Sequence, residues 1–324
     1  MRAMLRVICL LVINLMFSQI ALAEMPVLKA AVLKVGTVNW ELDTIIHNGF
    51  DKANGFKLEV TGMAGNAATR IAFQAGEADI AVADWIWVAR QRAAGKDFVF
   101  IPYSKSVGSL MVKKSSPYKT LADLKGKKIG IAGGPVDKSW LILRAYAKMQ
   151  YGFDLKADTE QVFGSPPLIF KAGLKGETEG TINFWHFAAK LGAKGMRPLI
   201  SVADAAQALG LDPNVPLLGY VVKGELARSN PELIAGLVAA SRAAKELLAS
   251  DDRAWDRLRG KMRAEKDADF AALKAGFIQG IPSTKPIDVE AAAKVFEVMA
   301  KLGGEKLVGV AKTLPEGVFV QLQN

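Results

Sequence analysis

The sequence predicts an α/β protein of two lobes, each a mostly parallel sheet flanked by helices, joined by two crossing strands. Three observations predict it. A unit of strand, glycine-rich or polar loop and helix recurs along the chain, and strands that alternate with helices form parallel sheets covered on both faces. The rhythm breaks where Phe98 to Tyr103 and Ser109 to Lys113 follow one another with no helix between. It breaks again at Leu217 to Lys223, which reads as a strand returning to the first block and is followed only by helices. The chain of 324 residues is long enough for two domains of ordinary size. The implied division puts 24–110 and 216–324 in one lobe and 111–215 in the other.

Taken in order, Met1 to Ala23 carries Arg2 and Arg6, an apolar run from Val7 to Phe17, and Ala21-Leu22-Ala23 before Glu24. That is the arrangement of a cleavable secretory signal, and the run is short for a bilayer span. Cys9 is the only cysteine and lies inside it, so the mature chain is expected to use neither disulfide nor thiol chemistry.

The first block then reads as a strand at Leu33 to Thr37, a loop at Val38 to Asp43 and a helix at Thr44 to Asn54, where Ile45, Ile46, Phe50 and Ala53 recur at helical spacing. A strand at Phe56 to Thr61, a loop at Gly62 to Asn66 and a helix at Ala67 to Ala75 follow. The next strand, Asp79 to Ala83, exits through Asp84 to Trp87 into a helix ending at Ala94. In the second block, a strand at Lys128 to Ala132 ends in a Gly-Gly-Pro loop, and Asp137 or Ser139 caps a helix at Trp140 to Met149. Thr159 to Phe163 leads through Gly164-Ser-Pro-Pro167 to a helix at Leu168 to Leu174. Glu179 to Ile182 leads through Asn183 to His186 to a helix ending at Leu191, and Leu199 to Val202 adds a strand. In the tail, Asn230 precedes a helix at Pro231 to Ala249 with proline at its first position. Further helices fit Asp252 to Ala264, Lys266 to Gln279 and Asp288 to Leu302.

Open parallel sheets bind ligands outside the carboxyl ends of their strands. Collecting those ends gives the candidate binding residues: Asn39, Trp40, Glu41, Gly65, Asn66, Asp84, Trp85, Gly134, Asp137, Lys138, Ser139, Ser165, Asn183, Trp185 and His186, with Phe184 among them. Tryptophans and polar side chains are denser there than in the helices, which suits a small-ligand pocket. The competing readings are that the tryptophans are core, that Asn66, Asp137 and Ser139 only cap helices, that Asp84 caps a helix or faces a cation, and that Lys138 is solvated. Glu41, Asp84 and Asp137 add negative charge that would oppose a simple oxyanion and suit an amine, a zwitterion or an aromatic solute.

Composition excludes other classes. Forty-two basic against 32 acidic residues give +10, and removing Arg2 and Arg6 leaves 40 against 32, or +8. The basic residues are interspersed with acids along helices and form no basic run with aromatics, so no nucleic-acid partner is expected. With only His47 and His186, no histidine-rich metal site and no cofactor is expected. A Ser-His-Asp arrangement would need His186 and lacks a Gly-x-Ser-x-Gly elbow, and nothing specific supports Glu41 with Asp84 as a carboxylate pair. An enzyme is therefore not expected.

Three stretches carry a resemblance. Leu121-Ala-Asp-Leu-Lys-Gly-Lys-Lys-Ile-Gly130 resembles a signature of periplasmic substrate-binding proteins of ABC importers, in the nitrate, sulfonate, taurine and thiamine-precursor group. Ala75-Gly-Glu-Ala-Asp-Ile80 and Val221-Val-Lys-Gly-Glu-Leu-Ala-Arg-Ser-Asn-Pro-Glu232 are similar to stretches common among type II binding proteins. The likeness runs from about Lys34 to about Ser250. It implies a periplasmic-binding-protein type II fold and a monomeric, periplasmic receptor. Such a receptor closes on a small solute and presents it to the transmembrane subunits of a permease. An enzyme or a sensor on the same fold is the alternative; the related pyrimidine-synthesising enzymes use histidines that this chain lacks.

Overall fold

A computed structural model describes residues 24–321; the expected signal, with Cys9, lies outside the described residues. The first sheet has the order β2 (Lys57–Met63), β1 (Val27–Leu33), β3 (Ile80–Asp84), β10 (Leu218–Lys223), β4 (Phe98–Ser104). The second repeats the plan as β7 (Glu160–Gly164), β6 (Lys128–Ala132), β8 (Gly180–Asn183), β5 (Ser109–Lys113), β9 (Met196–Ser201). In each sheet four strands run in one direction and the fourth in order is antiparallel to its neighbours. The antiparallel strands are β5 and β10, the two reached by crossing from the other lobe. A strand that arrives from across the gap enters at the end its neighbours leave by, so the carboxyl ends of the parallel strands in both sheets face the same gap.

The helices needed to place the site are α1 (Val38–His47), α2 (Asn66–Ala75), α3 (Trp85–Ala93), α4 (Lys138–Tyr151), α5 (Pro166–Lys175), α6 (Trp185–Ala193), α7 (Val202–Ala208), α8 (Pro231–Ser250), α9 (Asp267–Gln279) and α10 (Val289–Gly303). Pro166 and Pro231 open their helices, where a missing N–H costs nothing. Asp137, not Ser139, caps α4: its carboxylate accepts the Trp140 N–H at 3.1 Å.

One expectation fails at the start of the chain. The first strand ends at Leu33, where it was expected to begin, and α1 begins at Val38, six residues earlier than the sequence reading placed it. The turn that causes this is tied by Asn39, whose amide donates to the carbonyls of Leu33 at 2.7 Å and Gly36 at 2.8 Å. The β-branched Val35 and Thr37 look like strand residues, but Gly36 breaks the run. Residues read as a strand exit are therefore the first turn of a helix.

The tail is not confined to one lobe. Helix α8 packs on α1, whereas α9 packs on α6 and α10 on α4, both in the second lobe. The short helix Glu305–Val308 returns to α3. One buried cluster accordingly lies inside the first lobe around Trp40, Tyr220 and Trp255, while a second runs from Trp85 and Phe98 through Ile129 and Trp140 to Phe296. Ser109 and Leu110 already belong to the second sheet. Among the described residues, no helix is long and apolar enough to cross a membrane.

Candidate functional site

The two sets of strand ends meet through one carboxylate. Asp84, the last residue of β3, turns its Oδ1 back to accept the Trp87 N–H at 2.9 Å and so caps α3. Its Oδ2 accepts from Lys138 Nζ at 2.9 Å, and Lys138 is the first residue of α4 in the other lobe. Arg70, one turn into α2, places a guanidinium nitrogen 4.0 Å from the same oxygen and lies over the Trp87 ring at 4.7 Å. Burial alone would push the Asp84 carboxyl up, but Lys138, the Trp87 N–H and Arg70 outweigh it and hold the group below its usual range. Burial lowers Arg70 from its ordinary value, with Asp84 opposing the shift. Beside them the Asp137 carboxyl is pushed up to about 6 by burial, against the pull of the Trp140 N–H and Lys138.

Behind this cluster lies a cavity of ≈ 60 Å³ reached by Trp85, Lys138 and Ser139, with walls from α7, α10 and the second crossing segment. Trp85 has none of its surface exposed, and its indole Nε1 is buried without a hydrogen-bond partner. A larger cavity of ≈ 560 Å³, which shares Val107, Ala203 and Pro213 with the first, lies between α6 and α9, lined by Trp185, Ser106, Asn214 and a run of alanines and glycines. Lys105 and Asn214 tie the two crossings together above it, Nζ to Oδ1 at 3.0 Å. Within that seam Lys194 pairs with Asp269 at 3.2 Å, a second ionic link between the lobes.

Of the sequence-chosen residues, Trp85, Lys138 and Ser139 line the smaller cavity, with Asp84 and Asp137 beside Lys138. Gly65, Asn66, Gly134 and Ser165 sit at strand exits with open or half-open surfaces; Gly65 and Ser165 precede α2 and α5 without a side-chain cap. Asn66 is the first residue of α2 and not its cap.

Trp40, Glu41, Asn39 and Asn183 are turned to other work. Trp40 is 3% exposed and packs edge-on to Trp255 at 6.2 Å and to Trp185 at 5.9 Å, beneath the α6 and α9 seam. Glu41 is fully buried in the first lobe, and Asn39 holds the turn described above. Asn183 gives its amide to the Pro166 carbonyl at 2.9 Å and accepts the Phe184 N–H at 2.9 Å, fixing the second lobe's own exit loop. The misplacement of Trp40 and Glu41 follows from the helix that starts at Val38. His186 lies 4.6 Å from the Phe187 ring, its Nδ1 is buried without a partner, and burial drops its pKa to about 4.

Arg70 was missed because only strand exits were searched. A cation one turn beyond the Gly65-Asn66 loop, on the face that points back to the exit, is the signal that would have found it. The apolar walls from α7 and α10 carry no such signal.

Two lobes of this topology, with parallel strand ends facing one gap and a double crossing, define the periplasmic-binding-protein type II fold. The chain belongs to the NMT1/THI5-like family, whose model matches residues 46–254. A comparison with curated proteins returns no match. Among solved structures, the chain is similar to the periplasmic aliphatic sulphonate binding protein SsuA from Escherichia coli, at 21% identity over 92% of both chains with a TM-score of 0.73. It is similar to the alkanesulfonate-binding protein SsuA from Xanthomonas axonopodis pv. citri bound to MOPS, at 17% identity over 92% of this chain and 99% of that one with a TM-score of 0.67. A more distant likeness, at 17% identity over 91% of this chain and 98% of that one with a TM-score of 0.55, is to a DSZB mutant in complex with biphenyl-2-sulfinic acid.

Proposed function

We propose that the protein is a periplasmic solute-binding receptor, which captures a small organic solute between its lobes and delivers it to the transmembrane subunits of an ABC import permease. One observation carries this reading: the first lobe's strand-end carboxylate, Asp84, is paired with the first residue of a helix in the second, Lys138. Ligand contacts drawn from both sides favour the closed arrangement, and the shift in population is bounded by the difference in affinity between open and closed forms. Family membership and the sulfonate-binding neighbours support it. The solute-contacting residues in this reading are Trp85, Asp84, Asp137, Lys138 and Ser139, joined by Arg70, with Asn66, Gly134 and Ser165 at the rim. The lobes of this reading are 24–108 with 216–324, and 109–215, and the receptor works as a monomer.

Native mass spectrometry of the protein purified from its own periplasm tests the reading. A mass excess that is lost on denaturation and whose carrier rebinds to stripped protein is expected. Apo protein alone, with no small molecule recovered under any gentle condition, would overturn it. The second reading is an exported enzyme on the same fold, which the DSZB likeness favours. It requires that His186 be needed for turnover of the recovered solute, and His186→Gln decides it.

A further inference from the structure

We propose that the solute seated beside Asp84 and Lys138 is uncharged, a short apolar body carrying one hydrogen-bond acceptor, and is not an anion. The proposal rests on the receptor reading above and narrows it to a substrate class. The cations that would grip an anion already face a carboxylate: Lys138 Nζ is hydrogen-bonded to Asp84 Oδ2 at 2.9 Å, and Arg70, held only by charge, lies 4.0 Å from the same oxygen. The two helix starts flanking that pair are filled by the chain's own carboxylates, Asp84 on the Trp87 N–H and Asp137 on the Trp140 N–H. Arg70 and Lys138 are balanced by Asp84 and Asp137, and Asp212 on the cavity wall adds a further negative charge, so no positive charge is left over for an anion. A sulfonate or carboxylate would have to displace Asp84 from both cations and strand it in a buried position, which is strongly unfavourable. The helix starts after Gly65 and Phe184 have no side-chain cap, but a helix terminus offers only about half an elementary charge and does not replace two cations.

The remaining wall is apolar at Ile142, Val202, Ala206, Val215, Val295 and Met299 and carries one further carboxylate, Asp212, whose Oδ1 accepts the Asn214 N–H at 2.8 Å. Trp85 also lines the cavity, and its indole Nε1, on a residue with no exposed surface, has no hydrogen-bond partner; beside it the Arg70 Nε is likewise buried without one. A buried indole N–H without a partner is satisfied by a carbonyl, ether or hydroxyl oxygen, none of which adds charge. The space of ≈ 60 Å³ is well below the roughly 150 Å³ that admits a benzene ring, so the group seated there is a short alkyl segment.

The test uses calorimetry with three matched probes, butyramide, butanesulfonate and butylamine, on the wild-type protein, Asp84→Asn and Lys138→Met. Asparagine caps a helix as well as aspartate does, so Asp84→Asn keeps α3 intact, and Lys138→Met gives an independent second variant. The wild type is expected to bind the amide at least tenfold more tightly than either ion. Asp84→Asn, which frees both cations, is expected to turn the preference to the sulfonate, and Lys138→Met to turn it to the amine. Preference of the wild type for butanesulfonate, or the same order of probes in all three proteins, overturns the inference and leaves the receptor reading standing. Binding of none of the probes by any of the three proteins overturns it as well. The receptor reading is then decided separately by the native mass spectrum.

Discussion

Two lysine–carboxylate pairs of almost equal length do different things in this molecule. Lys245 and Glu41 meet at 2.7 Å inside the first lobe, and Lys138 and Asp84 meet at 2.9 Å between the lobes. The first pair is sealed. Glu41 Oε1 also accepts from the Tyr220 hydroxyl at 2.7 Å and the Ser241 hydroxyl at 2.6 Å, Lys245 donates to Ser241 Oγ at 2.6 Å, and its ammonium lies 5.1 Å from the centre of the Tyr103 ring. Burial lowers Lys245 from its ordinary value against the pull of Glu41, and burial with Glu41 pushes Tyr103 and Tyr220 well up. All of these groups come from β4, β10, α1 and α8, so nothing short of unfolding separates them. The second pair has one partner on each lobe, and the Lys138 side chain keeps 24% of its exposure. Any motion that parts the lobes breaks it. Where the partners are anchored, and not how closely they approach, decides whether a buried ion pair is architecture or switch.

The largest expected effect therefore falls on the sealed pair. Lys245→Met leaves Glu41 buried without its counter-ion, which costs about 3–5 kcal/mol of stability. Chemical denaturation reads that loss, while calorimetry on the folded fraction should find solute affinity unchanged. A loss of affinity without a loss of stability would erase the distinction between the two pairs.

A smaller and differently distributed effect is expected at the bridging pair. Lys138→Met leaves the buried Asp84 with its helix cap and with Arg70 4.0 Å away, so the stability loss should be about 1–3 kcal/mol, below that of Lys245→Met. Its effect should also appear in binding. A stability loss as large as that of Lys245→Met would mean that the lobes are locked together and that Asp84 with Lys138 is architecture after all.

The smallest effect sharpens the comparison through pH. The Asp137 carboxyl is raised to about 6 from an unfolded value near 3.9, so its contribution to stability is fully present below about pH 4 and is lost as pH rises through 6. His186 runs the other way: lowered to about 4 from near 6.5, its contribution is present above pH 6.5 and is lost as pH falls through 4. The two slopes oppose each other in the wild type. Asp137→Asn, which keeps the cap on α4, should stabilise the protein by about 1–2 kcal/mol at pH 7 and by almost nothing at pH 4, as urea titrations at the two pH values would show. An equal effect at both would mean that the carboxyl is not strained by its site.

Much of this was legible in the sequence, and the reasons are local. Lys128–Ala132 was bounded correctly because a lysine-glycine turn precedes it and Gly133-Gly134 ends it. The crossing strands were found because a helix was missing where the rhythm required one. Asp84, Asp137 and Lys138 could be named from the sequence because strand exits are short and rich in caps, and the fold brings them side by side. Trp40 and Glu41 were misjudged because Gly36 and Asn39 build a turn whose hydrogen bonds no periodicity reveals. The walls supplied by Val202, Val215, Val295 and Met299 were invisible for a different reason. They come from α7, the second crossing and α10, and only the packing of a distant helix on α4 makes them neighbours.

The central claim, that both lobes close on one shared gap bridged by Asp84 and Lys138, is tested most directly by pulsed electron resonance. Spin labels at the exposed positions Lys52 and Lys171 place one probe on each lobe. The wild type loaded with its recovered solute should give a single narrow distance. Lys138→Met stripped of solute should add a longer, broader component that solute removes. Identical distributions in the two proteins, unmoved by solute, would contradict the account.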